Sequence, residues 1–515
     1  MPHILVYDIG TTTVKSALVD LETLKVTKSS STPVPMKYPS LREAVMTPED
    51  LWKAVVTTSR AIAGSEVLHP KAVTIISQMA GVLPLDDGMN PLVDIMTWLD
   101  ERAAGYPKSL FKGILKLSGY NLFHILRFLR VTGGAPSKTG KDPISKVLWL
   151  KHEAPEIWSR TKMILDVKGY LLNRMTGSLV TTTDEANLTW LMDTRKGKYG
   201  WSDAILSKYG IPGIMLPEIV EPTQVVGALG KEAAEHLKVE EGTPVVAGAG
   251  DVVGVASGSG MTGVGEAHIY IGTSDWLAAH VEKRLLDINH YMGSLLSAIP
   301  GRYLFIAEQE VAAGALEWML DRLKCGDGEE RYVCMKKHVG NTPPGSGGLL
   351  FAPWMYGERS PIDDEHVRGV LLNLSLSHGD GHLVRSVVEG VAFNIRFAYE
   401  YFRKHIPSRN GINIVGGGAL LDDWCQVLSD LLEIEVRRTV QPRMVGARGG
   451  AVIGGVGIGY FKSFDAASKL VGVEQVFTPV HDRSSFYNSK FEYYVRLYKS
   501  LRKLFKEMNK NPLVQ

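Results

Sequence analysis

The sequence predicts an α/β protein made of two similar domains that face each other across a central cleft. Apolar, β-branched runs of strand length alternate with segments whose apolar residues recur at helical spacing. A short internal repeat divides the chain, because residues 7–13 (YDIGTTT) are echoed about half a chain later by residues 269–275 (IYIGTSD). Each copy has the pattern strand, Gly-Thr turn, strand. This placement favours a duplicated domain, and the cleft between two domains is a usual place for a ligand.

The individual elements follow from local patterns. Residues 3–9 and 14–20 predict a β-hairpin closed by a small polar turn. Thr47 and Pro48 mark a helix start, because Thr can cap a helix and Pro suits its first position. Further strands are predicted at 72–76, 244–247, 267–271, 303–307 and 412–415, and further helices at 309–323, 382–405, 422–433 and 487–508. The last of these is expected to be a basic helix that packs through its Tyr and Phe side chains.

Residues 103–142 predict an insertion, in which a helical excursion is followed by a loop. A basic and apolar stretch at residues 126–130 and a glycine pair at residues 133–134 support this division. An excursion of this kind either lines a substrate cleft or elaborates the surface. The sequence leaves both alternatives open.

Composition excludes several classes of partner. The chain has 515 residues, 45% of them hydrophobic and 22% charged, and its formal net charge is +2. So small a charge gives no electrostatic footprint for nucleic acid. No apolar run reaches the roughly 18 residues of a membrane span, so we expect no membrane association. The N-terminal residues lack the basic region of a secretory signal, which favours a cytoplasmic protein.

Cysteine usage indicates the same compartment. Cys325, Cys334 and Cys425 form a sparse, odd-numbered set with no Cys-x-x-Cys and no histidine pair at zinc-like spacing near them. We therefore expect a reducing compartment and three thiols that are buried or chemically inert.

The two Gly-Thr turns are candidate phosphate sites. Gly10 and Gly272 can offer backbone N–H groups with no Cβ in the way, and the neighbouring threonines add hydroxyl donors. Asp8 precedes the first turn by two residues, where a carboxylate suits a hydrated Mg²⁺ ion. The alternative for each is a tight turn, in which Asp8 bonds its own backbone.

Two further glycine-rich turns follow predicted strands. Asp251 leaves a strand through the turn at residues 248–250, where a carboxylate could take a proton from a hydroxyl that attacks a phosphate. The alternative is that Asp251 only caps the helix that begins at Val252. The triplet Gly416-Gly417-Gly418 follows another strand and would let a ring or ribose lie close to the backbone.

Several common motifs are ruled out. The pattern Gly258-x-Gly260-x-x-Gly263 follows a predicted helix instead of a strand, so its context is wrong for a dinucleotide site. The chain has no Gly-x₄-Gly-Lys-Ser/Thr, no Gly-x-Ser-x-Gly and no His-Glu-x-x-His. Walker-type nucleotide binding and these hydrolase and protease chemistries are therefore excluded.

Taken together, the order of the motifs resembles the FGGY family of carbohydrate kinases, and within it the xylulokinases. The matching segments are Asp8-x-Gly10-Thr11, Gln78-Met79, residues 98–102 (WLDER), 143–151 (PISKVLWLK), Gly248-x-Gly250-Asp251, Gly272-Thr273-Ser274, 356–361 (YGERSP), 368–369 with 385–393, and Gly416-Gly417-Gly418-Ala419. The resemblance covers roughly residues 3–460. It implies two actin/hexokinase-like, that is ribonuclease H-like, domains, which we place at residues 1–262 and 263–515.

The resemblance also implies roles for individual residues. Asp251 would be the catalytic base and Asp8 would hold Mg²⁺ through water. The residues expected to bind ATP are Gly10, Thr11, Thr12, Lys15, Gly272, Thr273, Gly417 and Gly418. The residues expected on the sugar side are Gln78, Met79, Ala80, Trp98, Asp100 and Arg102. The N-terminal domain would thus carry the sugar side and the base, and the C-terminal domain the adenosine site.

The implied substrate is a ketopentose such as D-xylulose, with ATP and Mg²⁺ as cofactors and a homodimer as an allowed assembly. Gln78-Met79 is similar to the xylulokinases, but Ala80 stands where they usually carry a histidine. Asp275 stands where a small residue commonly follows Gly-Thr-Ser. The alternatives are a kinase of another sugar or polyol, a non-catalytic sensor that binds ATP or sugar on the same fold, and an actin-like ATPase without a sugar.

Overall fold

Two large mixed β-sheets, one in each half of the chain, organise the fold. The computed structural model describes residues 1–117, 119–407 and 411–510. The strands are β1 (His3–Ile9), β2 (Thr13–Asp20), β3 (Val26–Pro33), β4 (Met36–Lys37), β5 (Val45–Met46), β6 (Ala72–Ser77), β7 (Leu83–Leu85), β8 (Ile95–Met96), β9 (Lys116–Leu117), β10 (Tyr120–Asn121), β11 (Met163–Leu165), β12 (Val180–Thr182), β13 (Met192–Asp193), β14 (Gly200–Trp201), β15 (Glu218–Val220), β16 (Val225–Ala228), β17 (Pro244–Gly250), β18 (Ala267–Ile271), β19 (Asp275–Val281), β20 (Met292–Leu296), β21 (Tyr303–Gln309), β22 (Leu350–Ala352), β23 (Val370–Leu372), β24 (Gly411–Val415), β25 (Glu435–Thr439) and β26 (Val473–Phe477).

Helices cover the faces of both sheets and fill the space between them. They are α1 (Pro48–Ala63), α2 (Lys108–Phe111), α3 (Leu122–Val131), α4 (Pro143–Glu153), α5 (Pro155–Arg160), α6 (Val167–Thr176), α7 (Thr183–Leu188), α8 (Asp203–Tyr209), α9 (Lys231–Leu237), α10 (Asp251–Gly258), α11 (Ala313–Arg322), α12 (Gly328–Gly340), α13 (Asp380–Phe402), α14 (Asp422–Leu432), α15 (Val445–Gly457), α16 (Phe464–Ser468) and α17 (His481–Met508). Among the helices that the structure describes, none is both long and apolar enough to cross a membrane.

The two sheets share one topology over six strands, with β20 as an extra edge strand in the second, which confirms the predicted duplication and fold class. The first has the order β16-β17-β6-β1-β2-β3, and the second β20-β21-β19-β18-β24-β25-β26. In the first, β1 is antiparallel to β2 and parallel to β6. In the second, β18 is likewise antiparallel to β19 and parallel to β24. The two predicted Gly-Thr turns thus occupy equivalent hairpins, β1–β2 and β18–β19.

The cores explain why these segments form central strands. In β1, Ile4, Leu5, Val6 and Tyr7 are all fully buried, so apolar side chains point to both faces, as expected for a strand covered by helices on each side. Helix α17 packs as predicted, because its Tyr487 side chain and others on that face are buried. It begins earlier than expected, at His481.

Helix α15 crosses from the second half of the chain onto the first sheet. A Cβ at Gly450 would lie 2.5 Å from Val6, and one at Gly449 would lie 1.8 Å from the Gly254 carbonyl. Only glycine allows so close an approach of this helix to β1 and α10. The two halves therefore share a core, and the division at residue 262 describes chain segments more closely than packing units.

Two local predictions need correction. The helix predicted to start at residue 309 is instead strand β21 up to Gln309, with α11 starting at Ala313, because the apolar run pairs with β19 before the helix begins. The three cysteines are not all free thiols, since Cys325 and Cys334 form a disulfide and only Cys425 is free and buried. The spacing of Cys325 and Cys334 matches no common disulfide motif, so their pairing is found only in the structure.

The predicted insertion folds as α2, a β9–β10 pair and α3, and it contacts the second half of the chain. Arg284, which follows β19, donates to the carbonyl oxygens of Arg130 at 2.8 Å and Val131 at 3.1 Å. A basic side chain thereby caps the C-terminus of α3. Within the first half of the chain, the indole of Trp190 donates to the Asp142 carboxylate at 2.6 Å and fixes the end of the insertion. The insertion is therefore anchored to both halves of the chain, through Arg284 and through Trp190.

Gly248 provides a test of this packing, because it combines a left-handed backbone with a crowded environment. Its φ is +76°, and a Cβ would lie 1.8 Å from the Ile75 carbonyl oxygen. Gly242 has a φ of +81° and nothing within 4 Å of its Cβ position. We expect Gly242→Ala to lower the free energy of unfolding by about 1–2 kcal/mol, the cost of the left-handed region alone. Gly248→Ala should lower it by about 2–5 kcal/mol, because overpacking is added.

Urea denaturation of both variants beside the parent chain measures this difference. A shared slope with different midpoints assigns the effect to the folded state. Equal losses in the two variants would contradict the crowding at Gly248.

Candidate active site

The first Gly-Thr turn lies at the tip of the β1–β2 hairpin and is held by neighbouring segments. The Gly10 amide donates to the Thr13 carbonyl at 2.9 Å, which closes the turn. The Gln78 side-chain amide donates to the Gly10 carbonyl at 3.3 Å. The indole of Trp98 donates to the Thr11 hydroxyl at 2.9 Å. Two predicted sugar-side residues therefore support the turn that is predicted to grip phosphate.

Asp8 lies directly beneath this turn. It faces Lys15 across the β1–β2 ladder. Burial raises the pKa of Asp8, and Lys15 opposes that rise. A Cβ at Gly446, at the start of α15, would lie 3.0 Å from its carboxylate, so a glycine there keeps the space beside Asp8 open. Asp8 lies inside strand β1, paired with Lys15, and not in the turn. The alternative in which Asp8 bonds its own backbone in a tight turn is therefore wrong.

Asp251 is the first residue of α10 and follows β17 directly. Its carboxylate accepts from the Val252 amide at 2.8 Å, as a residue at a helix start can. Burial raises its pKa to about 7, and the negative charges of Asp8 and Glu308 add to that rise. The carboxylates therefore influence each other across the cleft, because Glu308 belongs to β21 of the second sheet. Capping and catalysis are compatible roles for Asp251, since the carboxylate has two oxygens.

The second Gly-Thr turn lies on the opposite wall of the cleft. Ala312 and Gly314, at the start of α11, donate to the Thr273 carbonyl at 2.8 and 3.1 Å. The Tyr270 ring packs against Gly272 so closely that a Cβ there would lie 2.6 Å from it. Burial raises the pKa of Tyr270 to about 12, and the charges of Asp8 and Asp251 raise it further. Tyr270 is thus a residue of the site that sequence reasoning missed.

The glycine triplet adjoins this second turn. Gly416 has a φ of +92°, and a Cβ there would lie 2.4 Å from the Ile271 carbonyl oxygen. A Cβ at Gly418 would lie 2.3 Å from the Ile271 side chain, whereas the nearest atom to one at Gly417 is 3.8 Å away. Gly416 and Gly418 are therefore needed for packing, while Gly417 presents bare backbone. The expected adenosine border at Gly417 and Gly418 stays a prediction, in which Gly417 is the more open of the two positions.

The predicted sugar loop, residues 78–80, lies next to the predicted catalytic turn, residues 248–250, which precedes Asp251. Met79 is buried over Gly250, where a Cβ would lie 2.3 Å from its sulfur. Ala80 has a φ of +61°, in the left-handed region where non-glycine residues are uncommon. Its amide donates to Glu185 at 2.7 Å, which holds the strained conformation. Strain of this kind persists only where the surroundings determine it.

Lys146 connects both sugar-side loops from below. It is fully buried on α4, and its ammonium donates to the carbonyl oxygens of Ala80 at 2.9 Å and Thr97 at 2.6 Å. Burial lowers the pKa of Lys146 to about 7, while the charges of Asp100, Asp142 and Glu185 oppose that fall. The sequence placed Lys146 in a family signature without a role. In the structure, Lys146 links the two loops by donating to one carbonyl oxygen in each.

Asp184 and Glu185, neighbours on α7, anchor the catalytic turn and the sugar loop. Asp184 accepts from the Gly250 amide at 2.6 Å, one residue before Asp251. Glu185 accepts from Ala80, and burial raises its pKa well above the ordinary value, with Asp166 adding to the rise. Both side chains are inaccessible to solvent or nearly so. Sequence reasoning missed both, because no motif near them signals contacts to segments 66 and 105 residues away.

Asp100 and Arg102 are placed differently from the rest of the predicted sugar side. Asp100 is fully buried, and its oxygens accept from the Ala44 amide at 3.0 Å and the Arg102 guanidinium at 2.8–3.1 Å. The guanidinium also lies over the Trp149 ring at 5.3 Å. Asp100 therefore supports Arg102 and its own loop, and Arg102 is the member of the pair that reaches towards solvent.

Asp275 is a buried carboxyl group with a raised pKa. It is buried directly after the second turn, and neither carboxylate oxygen has a hydrogen-bond partner among the described residues. Burial raises its pKa well above the ordinary value, and Glu358 raises it further. The pKa of Glu358 itself is raised to about 7 by burial. Burial and the neighbouring acid therefore both disfavour the charged form of Asp275.

The far end of the cleft joins the insertion to the second domain. Burial raises the pKa of Tyr120 to about 12, and the charges of Asp142 and Asp363 add to the rise. Arg359 donates to Glu308 at 2.5 Å and to Glu310 at 2.6 Å. The cleft is thus lined by charged groups from both halves, in addition to the residues predicted from motifs.

The structure brings most of the predicted residues to one cleft. The charges of Asp8 and Asp251 both act on Tyr270, two residues before the second turn. The glycine triplet packs against Ile271 of the same strand, and Met79 packs against Gly250 beside Asp251. Lys15 and Thr12 are exposed at the mouth of the first turn, and Thr273 is exposed at the second. Glycine turns from both halves of the chain with a carboxylate beside them form the arrangement that the sequence predicts for a two-domain phosphotransferase of the ribonuclease H-like class.

Comparison with known proteins identifies the family. Residues 3–258 match the N-terminal domain and residues 267–458 the C-terminal domain of the FGGY family of carbohydrate kinases. A gluconokinase of Bacillus subtilis (strain 168) is 28% identical over 98% of this chain and 97% of its own length. A xylulose kinase of Lactococcus lactis subsp. lactis (strain IL1403) is 28% identical over 97% of both chains. The crystal structure of a ligand-bound xylulose kinase from Lactobacillus acidophilus superposes with a TM-score of 0.86, at 23% identity, over 99% of this chain and 100% of that one.

The chain therefore belongs to the FGGY family of carbohydrate kinases, and it is a sugar kinase by family. The resemblance stated from the motifs is confirmed. The choice between sugars is left open by relatives of two specificities at the same level of identity.

Asp184 provides a test of how the catalytic turn is held. We expect Asp184→Ala to lower kcat by about 10- to 100-fold, because an unpaired buried amide costs about 1–3 kcal/mol and frees the turn to shift Asp251. Asp184→Asn keeps an acceptor oxygen and is the matched control. Steady-state phosphorylation kinetics with a thermal melt of each variant separate positioning from unfolding. A kcat for Asp184→Ala that equals that of Asp184→Asn would remove Asp184 from this role.

Proposed function

We propose that the chain transfers the γ-phosphate of ATP to a hydroxyl group of a ketopentose such as D-xylulose. The observation that carries the proposal is the position of Asp251, between two opposed Gly-Thr turns and beside the sugar loop. A base works best when its pKa is near the working pH, and burial raises the pKa of Asp251 to about 7. Asp251 takes the proton from the acceptor hydroxyl as that oxygen attacks the phosphorus.

The remaining residues position the reactants, which is the larger part of catalysis in phosphoryl transfer. Thr11 and Thr12 on one wall and Thr273 on the other hold phosphate oxygens through backbone amides and hydroxyls, while the amides of Gly10 and Gly272 close the two turns by donating to Thr13 and Ser274. Gly417 and Gly418 border the adenosine, and Lys15 lies close enough to Asp8 to balance its charge. Closure of the two halves around both substrates would exclude water from the reaction.

Asp8 fits a divalent metal ion, and we propose that it holds Mg²⁺ through water. The support is its burial beneath the first turn together with the space that Gly446 leaves beside its carboxylate. Mg²⁺ accepts one or two carboxylates and keeps several waters, and when bound it neutralises charge on the phosphates. Asp251 is the second carboxylate near the same region, since the charge of Asp8 contributes to its raised pKa.

Paired cations at the sugar end support a neutral sugar over a sugar acid. Arg102 is engaged by Asp100, Arg359 by Glu308 and Glu310, and Lys146 by two carbonyl oxygens. A carboxylate on the substrate would meet these three cations already engaged, and breaking a buried pairing is costly. Gluconate is the second candidate, because the Bacillus subtilis gluconokinase is as similar to this chain as the Lactococcus xylulose kinase.

The first experiment measures ADP release with Mg·ATP and D-xylulose, against a blank without sugar. Other ketoses, glycerol, tetritols and gluconate run beside it. We expect D-xylulose to give the highest kcat/KM, with gluconate well below it. A preference for gluconate would overturn the choice of sugar and retain the kinase. Turnover without any sugar would indicate an ATPase, and ATP binding with no turnover on the whole panel would indicate a sensor.

The raised pKa of Asp251 predicts a pH profile with a defined sign. The base is active only when deprotonated, so kcat/KM for the sugar should fall about tenfold per pH unit below pH 7 and level off above it. Asp251→Asn should lower kcat by about 10²–10⁴ and abolish this acidic limb while ATP still binds. Lys146 and Glu358 also have a pKa of about 7. An acidic limb that persists in Asp251→Asn would assign the titration to one of these groups.

A further inference from the structure

Away from the cleft, three metal-ligating side chains converge on the α11–α12 hairpin. Cys325 follows α11, and Cys334 and His338 lie on α12. One ligand atom from each, two sulfurs and a ring nitrogen, lie within 4.8 Å of one another. Cys334 and His338 are four residues apart, so they share one face of the helix. Cys325 is buried, whereas Cys334 and His338 are partly exposed.

We propose that the reduced chain binds one soft divalent cation of the Zn²⁺ type at Cys325, Cys334 and His338. Thiolate and imidazole are the ligands that zinc prefers, and a tetrahedral zinc site sets them roughly 3.3–3.8 Å apart. Three protein ligands leave the fourth position to water. The Cα atoms of the two cysteines are 5.7 Å apart, so small side-chain rotations convert between a direct bond and a shared metal ion.

The disulfide and the metal site exclude each other, because both need the same two sulfurs. A phosphine and one water reduce the disulfide to two thiols and leave the phosphine oxide. Cation binding then releases one proton from each thiol, and the neutral ring of His338 donates a lone pair. In a reducing compartment, where disulfides are rare, the metal-bound form would replace the covalent link.

The α11–α12 hairpin is also held by contacts that do not involve the cysteines. Tyr332, on the same helix, donates to the Leu420 carbonyl at 2.8 Å, directly beside the glycine triplet. At the other end of the hairpin, α11 begins with the amides that bond the Thr273 carbonyl. Arg331 pairs independently with Glu317 and Asp321 of α11. The hairpin is thus held without the cysteines, and variants at the metal ligands are expected to fold.

Titration of the whole, phosphine-reduced and metal-stripped chain with Co²⁺ tests the proposal. We expect one equivalent to give thiolate-to-cobalt charge-transfer bands and tetrahedral d–d bands, both removed by Zn²⁺. The oxidised chain and Cys334→Ser should lack the two-thiolate signal, and His338→Ala should bind at least about tenfold more weakly. Cys425→Ser and the exposed His69→Ala are matched controls that should bind as the parent does. Zn²⁺ should also raise the melting temperature of the reduced parent chain.

Two outcomes would overturn the site. Binding by the reduced parent no tighter than by Cys334→Ser would exclude the cysteine pair, and unchanged binding by His338→Ala would exclude the third ligand. None of these readouts uses the sugar reaction. Failure of the proposed kinase specificity would therefore leave the metal titration unaffected, and failure of the titration would leave the kinase proposal standing.

Discussion

The geometry of the cleft depends on one pair of buried carboxylates. Asp184 and Glu185 are adjacent on α7, and each accepts a backbone amide from a different loop, Gly250 and Ala80. Because the two acceptors are fixed on one helix, the distance between the catalytic turn and the sugar loop is fixed as well. An unpaired acid at this depth would be costly. The site therefore uses buried acids as supports, and burial raises the pKa of Glu185 well above its ordinary value.

The hold of Glu185 on the Ala80 amide also explains the position of Lys146 on the other side of that residue. A buried ammonium is unfavourable, and burial lowers its pKa to about 7. Its contacts with the Ala80 and Thr97 carbonyls and the field of the nearby acids offset that cost. Lys146 pulls on the carbonyl side of Ala80 while Glu185 holds its amide. The left-handed conformation of Ala80 is thus fixed from both sides of one residue.

Much of the fold could be predicted from the sequence, because its signals are local. The hairpins carry their Gly-Thr turns within seven residues, and the duplication of that pattern predicts two sheets of one topology. Asp251 was found because it directly follows a strand and a glycine turn. In each case the residues that determine the structure are neighbours in the chain.

The missed residues act over long sequence separations. Lys146, Asp184 and Glu185 support loops from which they are 49 to 105 residues distant, and no spacing rule links such segments. Helix α15 packs onto the first sheet although it lies near the C-terminal end of the chain. In the sequence, only the glycines of α15 indicate such close packing. The disulfide was missed for the opposite reason, since a separation of 9 residues is local but matches no common motif.

The distribution of charge in the cleft decides how the nucleotide can enter it. Asp8, Asp251 and Glu308 form an acidic region, in which burial raises the pKa of Asp251 and the charges of Asp8 and Glu308 add to that rise. The phosphates of ATP would be repelled by that region unless a cation accompanied them. Charge neutralisation by Mg²⁺ would at the same time stabilise the ionised form of Asp251, which is the form that accepts a proton. Nucleotide binding would therefore be linked to activation of the base through the electrostatics of the same carboxylates.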